Sequence, residues 1–116
     1  MKSLILAATL ITLLPFSPLA RADEGSSCHF HGKKPATEAV VTDCANQRRN
    51  ALVKNGKLEG SWQSAKLEKL ELIDGKKGKE WKVIFTNPAV TDKTKQNLYV
   101  FFSHPGNFIA TNFTGQ

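Results

Sequence analysis

Cys28-His29-Phe30-His31, followed by Cys44, is where residue type and spacing come closest to chemistry. Thiolates and imidazoles together make a mixed sulfur/nitrogen set, and Cys28, His29, His31 and Cys44 would suit copper(I) or zinc. In an extended segment, residues i and i+2 point the same way, so His29 and His31 are spaced to chelate one ion. The pattern is not a standard structural zinc spacing, which separates its ligand pairs more widely. The same cysteines also read as a disulfide. Closing a loop of about 15 residues contributes roughly 3 kcal/mol in the chain-entropy account. The two readings compete, because a sulfur held in a disulfide is lost as a thiolate ligand.

Compartment decides which reading comes first. Lys2 supplies a short positive start, Ser3 to Leu14 carries no charge, Pro15 and Pro18 break the helical propensity, and Ala20-Arg21-Ala22 offers small residues for cleavage. That is the pattern of a cleavable secretory signal over residues 1–22. The apolar run is shorter than the roughly 20 residues of a membrane span. Asp23, not cysteine, follows the expected cleavage point, so no lipid anchor is expected. The expected location is the periplasm, with no integral membrane segment after cleavage. In that oxidising compartment the Cys28–Cys44 disulfide is the first reading, and copper or zinc binding is the alternative.

Residues 23–116 suffice for one small domain, near the size where a covalent or metal staple helps. Without Lys2 and Arg21, the 16 basic residues of the chain fall to 14 against 10 acidic ones, a net charge of +4. The positives are scattered in Lys33-Lys34, Arg48-Arg49, Lys76-Lys77-Lys79 and Lys93-Lys95, with no interleaved aromatics. That distribution describes a solvated surface and not a nucleic-acid footprint.

Residues 23–35 form an N-terminal arm with few aliphatic side chains, and residues 36–116 the domain proper. Thr37 as N-cap and Gly56 just past Asn55 bracket one helix of about five turns. Val40, Val41, Cys44, Ala45, Arg48, Ala51 and Leu52 form its apolar stripe, opposite Glu38, Asp43, Asn46, Arg49 and Asn50. Arg48 interrupts the stripe, and its stem is expected on the core edge with the guanidinium in water. Trp62 is expected to cover one end of the core. The hydrophobic period then changes from 3.6 to 2, the mark of strands. Leu70 and Leu72 alternate with Lys69 and Glu71, and Asp74-Gly75-Lys76-Lys77-Gly78 turns the chain. Trp81, Val83 and Phe85 alternate next, ended by Asn87-Pro88. Leu98-Tyr99-Val100-Phe101-Phe102 reads as a central strand, and Phe108 to Phe113 as the last.

One helix packed on a four-stranded antiparallel meander is an α+β arrangement. Trp81, Val83, Phe85, Leu98, Val100 and Phe102 are expected beneath the helix. Ile84, Tyr99, Phe101 and Phe113 would line the other face, which is apolar for a solvated surface and marks a candidate interaction surface. Coverage by the arm or by a curled sheet is the competing expectation.

At Trp62, Glu80-Trp81-Lys82-Val83-Ile84-Phe85-Thr86-Asn87-Pro88, Leu98-Tyr99-Val100-Phe101 and Asn112-Phe113-Thr114-Gly115, the chain resembles a family of small exported bacterial proteins known only as a domain of unknown function. The resemblance implies export and a shared fold, and it carries no catalytic residues. The helix-then-meander order is also similar in architecture to PepSY-like domains, periplasmic modules thought to bind or restrain other proteins.

Three functions follow as expectations. The first is a non-enzymatic binding or interaction module whose partner is another periplasmic or envelope protein. The second is a metal-handling protein using the Cys-His-x-His arm. The third is a small secreted enzyme, similar in outline to microbial ribonucleases, with Glu71 as base, His104 as acid and Arg48 as cation. That chemistry requires the three groups to converge on one phosphate, and nothing in their spacing shows that they meet.

Overall fold

The computed structural model describes residues 28–116. The expected signal segment and residues 23–27 of the arm lie outside them. Helix α1 (Glu38–Lys54) starts where Thr37, in extended backbone, accepts the Val40 amide on its side-chain oxygen at 3.2 Å. It stops at Asn55, beyond which Gly56 takes φ +79°. A left-handed residue there lets the chain end bond back onto the last turn, and glycine has no Cβ to oppose it. Val41, Cys44 and Ala45 are the buried centre of the stripe.

A 3-10 turn, Gly60–Ser64, then drives Trp62 into the core, where it is 2% exposed. Four strands follow: β1 (Lys66–Gly75), β2 (Gly78–Thr86), β3 (Asn97–Ser103) and β4 (Phe108–Asn112). They pair antiparallel in sequence order, so β2 and β3 are central and β1 and β4 are edges. The fold is therefore the α+β helix-on-meander.

The register assigns each side chain to a face. Leu70 opposes Val83, Leu72 opposes Trp81, and Val83 opposes Val100. Trp81, Val83, Phe85, Leu98, Val100 and Phe102 are all buried and pack in one cluster with Val41, Cys44, Ala45, Trp62 and Ala65. This is the face the helix covers. On the opposite face the register aligns Lys69 with Ile84, Ile84 with Tyr99, Lys82 with Phe101, and Phe101 with Ala110.

Two register shifts interrupt the regular alternation. One falls between Leu67 and Lys69, so Leu67 opposes Phe85 and Leu70 opposes Val83 on the same face despite their odd spacing. The other leaves Ile109 unpaired between Phe108 and Ala110, and Ile109 is 46% exposed. An unpaired residue of this kind resets which side chains face inward. Phe113 is one outcome. It packs on the core cluster, its ring 6.0 Å from that of Trp62, and so leaves the open-face set in which the alternation had placed it. The reason is parity: Thr111 opposes the fully buried Val100, and Phe113 lies two residues further on the same side.

Asn87 closes the end of β2 in a way the proline alone does not explain. It is 4% exposed, donates from Nδ2 to Ser61 Oγ at 2.9 Å, and accepts the Ala89 amide on Oδ1 at 3.1 Å. A buried amide must find such partners. Here they tie the strand end to the 3-10 turn that carries Trp62. Among the described residues, no helix is long and apolar enough to cross a membrane.

Candidate functional site

The arm is fixed to the domain at three levels. Cys28 and Cys44 form a disulfide, with Cα atoms 5.7 Å apart, which anchors the arm to the buried stripe of α1. Two residues later, both backbone groups of Phe30 are held by one side chain: Asn107 Oδ1 accepts the Phe30 amide at 2.7 Å, and Asn107 Nδ2 donates to the Phe30 carbonyl at 2.8 Å. Further on, the Ala36 amide donates to the His104 carbonyl at 2.9 Å, an oxygen that also accepts Trp81 Nε1 at 3.1 Å.

The β3–β4 turn is built to receive this arm. Gly106 adopts φ +109°, and a Cβ at that position would lie 3.0 Å from the Phe30 ring. Backbone conformation and close approach both call for glycine. The turn is braced by the Ser103 amide on the Asn107 carbonyl at 2.7 Å and by the Asn107 amide on Ser103 Oγ at 3.0 Å. The spacing of His104-Pro105-Gly106-Asn107 signals a turn. Its role as a clamp 77 residues from Phe30 has no local signature.

The disulfide decides between the two readings of the cysteines. With both sulfurs bonded to each other, the four-ligand set of Cys28, His29, His31 and Cys44 does not exist in this state. Among the described residues, no group of three or more His, Cys, Asp or Glu is placed to hold an ion. His29 and His31 remain, both exposed, with ring centroids 5.1 Å apart and planes at 84°. Their closeness accords with the i, i+2 spacing.

Arg48 departs from its expected course into water. Its guanidinium carbon lies 3.8 Å from the centroid of the Phe108 ring, and the residue is half-buried. Guanidinium is weakly hydrated and planar, so an aromatic face competes with solvent for it. Burial draws its pKa below the ordinary arginine value. Arg49, assigned above to the polar side of the helix, is also half-buried. It donates from Nη1 to the Ala65 carbonyl at 2.7 Å and holds Asn50 Oδ1 through Nε and Nη2. Its guanidinium carbon is 5.0 Å from the Phe85 centroid, and burial lowers its pKa likewise. The 3-10 turn flanking α1 turns that side of the helix into a packed one.

The groups nominated for a ribonuclease-like reaction are not brought together. Glu71 opposes Lys82 on the open face, where it pairs with Lys69 at 3.8 Å. Arg48 lies on the helix side against Phe108, whose ring packs on Phe102 of the core. His104 stands in the β3–β4 turn, its ring 6.5 Å from Trp81.

The open face is only partly open. Phe101 is 6% exposed, so it supports the surface from within. Tyr99 is half-buried; Lys82 Nζ lies 5.2 Å from its ring centroid, and the backbone of Gly115 crosses it so closely that a Cβ there would stand 3.0 Å from the ring. Asn112 folds the tail back to make this contact, accepting the Gly115 amide at 2.8 Å. The Asn-Phe-Thr-Gly ending is thus a fold-back turn over Tyr99, a signal visible in the sequence once Asn112 is read as a turn residue. Ile84 remains half-buried with its outer side free of the helix.

The sequence matches the family of unknown function DUF6488 over residues 1–116. The chain belongs to this family. No curated protein and no solved structure matches it. Membership in DUF6488, a family of unknown function, supplies no activity to transfer.

Proposed function

We propose that this DUF6488 protein is a non-enzymatic binding module of the periplasm that docks another exported protein on the open face of its sheet. One observation carries this reading: the helix covers a single face, leaving Ile84 and Tyr99 half-exposed on the other, with buried Phe101 beneath. A fold this small has little apolar surface to leave uncovered without use. Lys69 and Lys82 stand on this face beside Glu71 and Glu80, so its charge is mixed, and attraction to an acidic partner rests on the net positive charge of the expected mature chain. The disulfide supports export, since such bonds persist in oxidising compartments.

Phe101 is a poor probe of the surface, because truncating a buried aromatic removes packing along with any contact. Ile84 is the better position. A photo-crosslinking residue at position 84, introduced in cells, is expected to give one discrete adduct. The same residue at exposed Lys54, at the end of α1, is expected to give none, and Lys82→Glu should lower the position-84 yield several-fold. Equal adducts at 84 and 54, or no adduct at 84, would contradict the proposal.

A further inference from the structure

We infer that His29 and His31 form a two-imidazole site for a divalent first-row metal ion, with copper(II) held most tightly. The site belongs to the oxidised protein, and the cysteines serve as its anchor instead of its ligands. It is independent of the sheet face.

The geometry comes first. Imidazole nitrogens bind such ions at about 2.0–2.1 Å, which places the centroids of two rings sharing one ion about 4.5 Å apart at the right-angled positions copper(II) prefers and about 5 Å apart at tetrahedral ones. His29 and His31 stand 5.1 Å apart, with planes nearly perpendicular. Both rings are exposed, so an ion reaches them without opening the fold. Water fills the remaining coordination positions, as no third His, Cys, Asp or Glu joins the pair among the described residues.

Preorganisation comes second. A flexible His-x-His segment loses affinity to the cost of ordering itself. Here the intervening residue is the one whose amide and carbonyl are both held by Asn107, and its ring packs against Gly106. The residue before His29 is bonded to the helix. The backbone between the imidazoles is therefore set by contacts on both sides.

The ion's identity follows from the donors. Nitrogen-only sites follow the order in which copper(II) exceeds nickel(II) and zinc(II), whereas copper(I) prefers sulfur that this state does not offer. Binding is thus expected to favour the oxidised protein, opposite to the dependence of a thiolate site.

The test is titration of the oxidised mature protein with copper(II) against a competing chelator, read by electron paramagnetic resonance and by calorimetry. The expected result is one ion per chain with a nitrogen-ligated signal. His29→Ala and His31→Ala should each weaken binding at least tenfold, and His104→Ala should leave it unchanged. Both arm histidines are exposed, so unaltered thermal unfolding is expected in the variants and separates ligand loss from misfolding. Binding that survives in the His29→Ala/His31→Ala double variant, or that is absent from the oxidised wild type, would overturn the proposal.

Discussion

Replacing Phe85 with alanine is expected to cost about 3–5 kcal/mol, the range for truncating a fully buried aromatic. Phe85 is completely buried on central strand β2, where it opposes Leu67 on one side and Leu98 on the other. It also gives Arg49 an aromatic face while that side chain reaches back to the Ala65 carbonyl. Truncation therefore opens a cavity between sheet and helix and leaves a half-buried guanidinium without one of its contacts. Domains of this size have only about 5–15 kcal/mol in total. Urea unfolding followed by tryptophan fluorescence should show a midpoint shifted far toward zero denaturant, because both Trp62 and Trp81 sit in the same cluster. A loss below about 1 kcal/mol would mean the helix does not pack where described.

Removing the disulfide with Cys28→Ser and Cys44→Ala is the second large effect, at about 3 kcal/mol for a loop of this length. The bond joins positions separated by 16 residues, and Cys44 is 3% exposed at the centre of the helix stripe. Alanine at 44 avoids adding a buried hydroxyl on top of the lost cross-link. The effect should be spatially uneven. Amide exchange at Phe30 is expected to rise by orders of magnitude, since its bond to Asn107 and its packing on the core then hold this end of the arm without the covalent anchor. The central strands β2 and β3 should lose protection only in proportion to the global change. Uniform acceleration across the sheet, with no excess in the arm, would show that the bond does not anchor this segment.

Much of the fold is legible in the sequence because its signals are local. Thr37 and Gly56 mark the ends of α1 by side-chain capping and by backbone conformation, and both act within a few residues. The alternation of Trp81, Val83 and Phe85 names the covered face because β2 is regular throughout. What the sequence hides is non-local or irregular. The register shifts beside Glu68 and at Ile109 leave no compositional trace, yet the first puts Leu67 and Leu70 on one face and the second places Phe113 beside Trp62. Arg49 looks solvated on a helical wheel, and only the return of the chain at Ala65 gives it a partner. Asn107 reads as a turn residue, while its second function needs Phe30, far away in the chain.

The candidate site divides the same way. The pairing of Cys28 with Cys44 and the closeness of His29 to His31 follow from residue type and spacing. Their separation into an anchor and a proposed ligand pair becomes visible only once the disulfide is in place. The proposed interaction surface is half legible: Ile84 and Tyr99 are where alternation puts them, whereas Phe101 proves buried and Phe113 belongs to the core.

The proposal of an exported chain and the arm held by the Cys28–Cys44 bond stand or fall together. Mass spectrometry of the protein taken from cells, alkylated before any reduction, tests this most directly. The predicted result is a chain beginning at Asp23, unmodified by the alkylating agent, and a peptide in which Cys28 and Cys44 are linked. A chain retaining residues 1–22, with both cysteines alkylated, would contradict it.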